Sequence, residues 1–165
     1  MNDTASTIAL GATAGLAASI VQVAVGKAEE KLFLPPSEDS NIAPRLMDRL
    51  SRKVGEDLSE SQKWALGTAF HLGYAVFWGS AYAVVTERYP VHPLIGGALL
   101  GGTIYAITFP RWGAAVQTDT ERPPKVRSTA MTAVAASVAL SFGLVTALLY
   151  DGVRSGWREG GESEQ

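Results

Sequence analysis

Four stretches of this chain carry no charged side chain: residues 7–25, 64–85, 93–110 and 129–150, each 18 to 22 residues long. An α-helix rises about 1.5 Å per residue, so roughly 20 apolar residues cross a hydrocarbon layer about 30 Å thick. A core helix of a soluble bundle keeps a polar stripe at 3.6-residue spacing, and none of these four does. The pattern predicts an all-α fold, an integral membrane four-helix bundle with one span in each stretch. The first stretch is mostly Ala, Gly, Thr and Ser, but residues 1–6 hold Asp3 and no Lys or Arg. A secretory signal needs a basic start, so this segment reads as a permanent helix.

The polar segments predict further elements. Pro35 and Pro36 end the first helix, because proline lacks the N–H and clashes with the preceding turn. Leu46, Met47, Leu50 and Val54 then share one helical face, with Arg45, Asp48, Arg49, Arg52 and Lys53 over the rest. This predicts a short cytoplasmic amphipathic helix over 43–54, capped by Ser40 or Asn41 and stopped at Gly55. Such a helix lies either on lipid headgroups or over the inner mouth of the bundle. Ser59-Glu-Ser-Gln62 is a capping box that starts the next helix near Glu60. The short turn from Thr86 to Pro93 makes the second and third spans antiparallel neighbours, and residues 156–165 read as a flexible polar tail.

Composition adds direction. A length of 165 residues suits one domain, and the mean hydropathy of +0.11 conceals how sharply charge is segregated. Lys and Arg number seven in residues 27–63 and four in 111–128, against one in 86–92 and two after 150. The positive-inside rule therefore places both long connections in the cytoplasm and both termini outside, N-out and C-out, with membrane lipid as the first partner. Trp64, Tyr89, Trp112 and Tyr150 fall at span ends, where amphipathic rings sit at headgroup depth. A net charge of −2 gives no nucleic-acid signal, and the lack of cysteine removes disulfides and thiolate chemistry.

Each span has a small-residue face: Gly11, Gly15 and Ser19; Ala75, Gly79 and Ala83; Gly97 and Gly101; Ala135, Ala139 and Gly143. In lipid such faces let helix backbones approach closely. They predict a tight bundle, or one docked against other membrane subunits or a second copy, and the pattern does not separate intrachain from interchain contact.

Candidate chemistry is sparse. His71 is the one side chain within the spans that titrates near neutrality, which suggests a proton relay or a ligand, or a neutral structural histidine. Helical rise puts it roughly 20 Å or more from His92, so the two cannot share one haem within a protomer. Glu29 and Glu30 end the first span and Arg111 follows the third, so a Glu–Arg111 pair could close the inner end, unless each is a separate solvated charge. No nucleophile elbow, P-loop, HExxH or dinucleotide motif occurs, so no catalytic residue, metal or cofactor is expected. The run from Gly96 to Gly102 lies inside a span and lacks the lysine of a phosphate loop.

The small-residue first helix with Glu30 and Leu34-Pro35-Pro36, the Leu58-Ser-Glu-Ser segment, His71-Leu-Gly-Tyr and Gly97-Ala-Leu-Leu-Gly together resemble the YagU-type bacterial inner-membrane family, a domain of unknown function. The resemblance implies a bacterial inner membrane and a link to acid stress, without a mechanism. The expected function is a non-enzymatic structural or accessory membrane subunit. The alternative is a small transporter or proton-linked channel with His71 in its path.

Overall fold

A computed structural model describes residues 4–35 and 42–162, with side chains as far as 156. Its regular structure is helical throughout the described residues: α1 (Thr4–Phe33), α2 (Ile42–Lys53), α3 (Glu60–Arg88), α4 (Pro93–Thr108), α5 (Ala114–Gln117) and α6 (Thr129–Glu162). The four charge-free stretches fall in α1, α3, α4 and α6. Two of these, α1 and α6, are long and apolar enough by themselves to cross a membrane. α3 falls short in hydropathy because His71, Tyr74, Trp78 and Tyr82 dilute its aliphatic residues, and α4 has only 16 residues.

The long helices run antiparallel, and their small-residue faces meet within the chain. α1 packs on α3 and on α6, and α6 packs on α4. A Cβ at Gly79 would collide with the backbone of Gly11 and Gly15, and one at Gly101 would lie 2.7 Å from the Ala139 carbonyl oxygen. These separations require glycine, because no side chain fits between the backbones. Gly97 and Gly143 face each other across the α4–α6 contact in the same way. The core is accordingly made of Ala14, Ala18, Ala75, Ala83, Ala139 and Ala147, closed by Leu100, Ile104 and Phe142.

Large apolar side chains point outward instead. Ile20 is 72% exposed and Phe77 60%, and Phe70, Leu99, Ile107 and Leu148 are also open. Water would penalise this inside-out distribution, since large apolar residues are ordinarily the most buried. Hydrocarbon does not penalise it.

Several expectations change. The turn between α3 and α4 joins antiparallel helices, but they are not close neighbours: they touch weakly, held apart by long side chains such as Tyr74, whose hydroxyl lies 3.4 Å from Thr108 Oγ1. Glycine faces elsewhere give closer backbone contact, so they decide the pairing. The third helix stops at Thr108 rather than residue 110, where Phe109 caps it. The fourth continues past Tyr150 to Glu162, through part of the expected flexible tail. Tyr150 and Arg154 both bind Glu87 of α3, at 2.9 and 2.6 Å, which ties that extension down. Tyr150 is therefore buried within the protein, whereas Trp64, Tyr89 and Trp112 are exposed.

The capping box at Ser59 and Gln62 is present. Gly55, at φ +80°, follows the end of α2 in the left-handed region that glycine tolerates. The proposed caps Ser40 and Asn41 lie outside the described residues. α2 folds onto the start of α3, where a Cβ at Gly67 would lie 2.9 Å from the Pro44 nitrogen. α2 thus packs against the first turns of α3.

Candidate functional site

Both basic connections come to the same end of the bundle. There a polar cavity of about 540 Å³ opens between α2 and the connection from α4 to α6. Its charged lining is Arg45, Asp48 and Arg49 from α2, and Asp119, Glu121, Arg122 and Arg127 from the connection.

The connection is shaped by local chemistry. The Trp112 indole N–H donates to the Ala106 carbonyl at 3.1 Å and folds the chain back under α4. The single turn α5 ends at Gln117, and two residues on Asp119, at a φ of +56°, reverses the chain; Asp is among the few side chains that accept this conformation. The amides of Thr120 and Glu121 both donate to the Ala115 carbonyl at 2.9 Å. The reversal carries the Glu121 side chain inward, to 6% exposure beside Arg127 at 1%.

Arg127 is held firmly but incompletely. Its Nη2 donates to the carbonyls of Arg122 and Phe109 at 2.9 and 3.2 Å, and its guanidinium lies 5.5 Å from the centre of the Phe109 ring. The Glu121 carboxylate approaches Nε only to 3.9 Å, a charge contact beyond hydrogen-bond reach. Nε and Nη1 are thus buried donors without a hydrogen-bond partner. Glu121 also faces Arg45 at 3.7 Å, which links α2 to the connection.

On the other side, Asp48 joins α2 to α3 by ion pairing with Lys63 at 2.9 Å, while Arg52 lies 3.1 Å away. The hydrogen bond from Lys63 holds the Asp48 carboxyl below its ordinary value of 3.8. The bonds to Glu60 and then Asp48 raise the Lys63 ammonium above 10.5.

The residues singled out from sequence are dispersed. His71, part-buried in α3, lies against the backbone of Ser19 in α1, and its Nε2 is buried without a hydrogen-bond partner. Glu29 reaches across to α6, where Ser137 Oγ donates to it at 2.6 Å. Glu30 pairs with Lys27 at 3.1 Å on its own helix. Arg111 is exposed, and among the described residues no ion pair joins it to Glu29 or Glu30, because the chain turns back at Trp112. The packing glycines Gly11, Gly15, Gly79, Gly97, Gly101 and Gly143 all lie at helix contacts. The sequence pattern places Arg45, Asp48 and Arg49 on the polar side of the amphipathic helix and does not single out Glu121 or Arg127. Nothing periodic marks these two, since their burial depends on Phe109 and α2.

Comparison with known protein families, curated proteins and solved structures finds no match for this chain.

Proposed function

We propose that the chain is a four-span integral membrane protein acting as a structural or accessory subunit, without an enzymatic reaction of its own. The observation that carries this reading is the inside-out bundle, with glycine and alanine in its contacts and Ile20, Phe70, Phe77 and Leu99 on its outer surface. Two helices are apolar enough to span alone, and α3 and α4 would cross as partners packed against them. The small-residue faces are consumed inside one chain, so other subunits or a second copy would dock on the exposed aromatic and aliphatic surface of α3 and α4. The charge bias supports a bacterial inner membrane with the cavity end in the cytoplasm and both termini outside, and the resemblance to YagU-type proteins agrees with it.

The chain has no cysteine, so single cysteines can report topology cleanly. Glu56→Cys and Lys125→Cys should be shielded from a membrane-impermeant maleimide in intact cells, and Tyr89→Cys should be labelled. The opposite pattern would overturn the orientation, and labelling of all three the spanning arrangement. Purification in mild detergent then tests the accessory role: a lone monomer would count against it.

A second reading, a proton-linked channel or small transporter, is favoured by the unpartnered Nε2 of His71 within α3. Unchanged proton flux in His71→Ala proteoliposomes would eliminate it.

A further inference from the structure

We propose that the cavity between α2 and the α4–α6 connection is a binding site for a singly charged phosphodiester, of the kind found in a glycerophospholipid headgroup. Three independent features converge there. Arg127 is buried, fixed through Nη2 on two backbone carbonyls, and left with unpartnered donors on Nε and Nη1. The guanidinium fork matches phosphate oxygens in geometry and charge. Ser128, which lines the cavity, caps the 34-residue helix α6 by accepting from the Met131 amide at 3.1 Å. The positive end of that helix dipole therefore faces the cavity. Arg45 and Arg122 complete the cationic wall, and Val126 and Met131 supply apolar surface suited to the glycerol end of an amphiphile.

The acids in the wall set the charge of the ligand. Four arginines face three carboxylates in the lining, and Asp48 is matched by Lys63 and Arg52 from outside it. A phosphodiester, with one negative charge, suits a wall that still holds Asp119 and Glu121, whereas a phosphomonoester carries about −1.5 to −2 and would meet them as stronger repulsion. The same chemistry is available from a lipid in the inner leaflet or from a soluble phosphodiester. The lipid source rests on the four-span reading; the site itself does not.

The test uses the full chain in mild detergent, following its thermal midpoint during titration with short-chain phosphatidylglycerol, with the deacylated headgroup glycerophosphoglycerol, with inorganic phosphate and with laurate. Phosphatidylglycerol should raise the midpoint in a saturable way. Arg45→Gln and Arg122→Gln, both at the rim, should each weaken the apparent affinity at least about tenfold, the equivalent of one charge-assisted hydrogen bond. Arg127→Gln should abolish it if the variant folds, and the two rim variants decide the matter if it does not. An equal response to the deacylated headgroup assigns the site to soluble phosphodiesters, and a response to the lipid alone assigns it to the membrane; either supports the proposal. A laurate response as large, tighter binding of inorganic phosphate, or indifference to both rim substitutions would overturn it. The maleimide pattern reports on the spanning arrangement separately, so failure of one reading is distinguishable from failure of the other.

Discussion

The two halves of this molecule are stabilised by opposite means. In the bundle, helices approach until backbone meets backbone, and the contacts are dispersion between Gly and Ala with large side chains turned away. At the basic end, long charged side chains span the gaps, and α2 is linked to its neighbours through Arg45–Glu121 and Asp48–Lys63. The first arrangement tolerates no added volume, because a rigid backbone has no way to yield. The second tolerates volume and is sensitive to charge, because its partners are the flexible ends of side chains around a cavity.

The largest effect should come from adding volume to the bundle. Gly79→Leu should prevent α1 and α3 from docking and cost more than about 3 kcal/mol, the upper end of ordinary overpacking; reversible unfolding in detergent measures it. A well-folded Gly79→Leu protein would show that the α1–α3 contact does not hold the bundle together. Next comes the charge at the other end. Glu121→Gln leaves Arg127 buried without its counter-charge, at a cost of about 3–5 kcal/mol by the same measurement. A loss as small as that of an exposed ion pair would mean that the cavity hydrates Arg127.

A smaller effect should follow pH. The Asp48 carboxyl is held below 3.8, so its contribution is complete above that value and is lost as pH falls through the lowered pKa. Lys63 is raised above 10.5, so its contribution is complete below that value and is lost as pH rises through the higher one. Hydrogen-exchange protection of α2, taken relative to the intrinsic rate at each pH, should therefore be flat between these limits and lower beyond either, with α1 and α4 unaffected. Asp48→Asn should abolish the acid-side change. Smallest of all is the control within the bundle: Gly73 and Gly102 have nothing near an added Cβ. Gly73→Ala and Gly102→Ala should leave stability unchanged or raise it by up to about 1 kcal/mol, in contrast to Gly79. A loss at Gly73 would reveal a partner surface on that face of α3.

Much of the bundle was legible because its determinants are local. Charge-free length located the four long helices, and the Ser59–Gln62 capping box placed the start of α3. The small-residue spacing identified the faces that meet, down to Gly15 and Gly143. The partners of those faces were not legible. The turn between α3 and α4 suggested a packed pair, but the separation of those helices follows from Tyr74 and from closer contacts elsewhere. The cavity was hidden for a related reason: Glu121 and Arg127 have the appearance of loop charges until Phe109, α2 and the turn at Asp119 enclose them.

The sequence by itself determined which segments become helices, that each long helix has one smooth face, and that basic residues gather in two of the connections. These follow from side chains a few residues apart, whose periodicity and charge act along a single helix. Only the tertiary structure decided that α1 lies against α3 and α6 while α4 lies against α6, that α2 packs on α3, and that Arg127 is buried with donors to spare. Each of those depends on groups distant in the chain coming within a few ångströms.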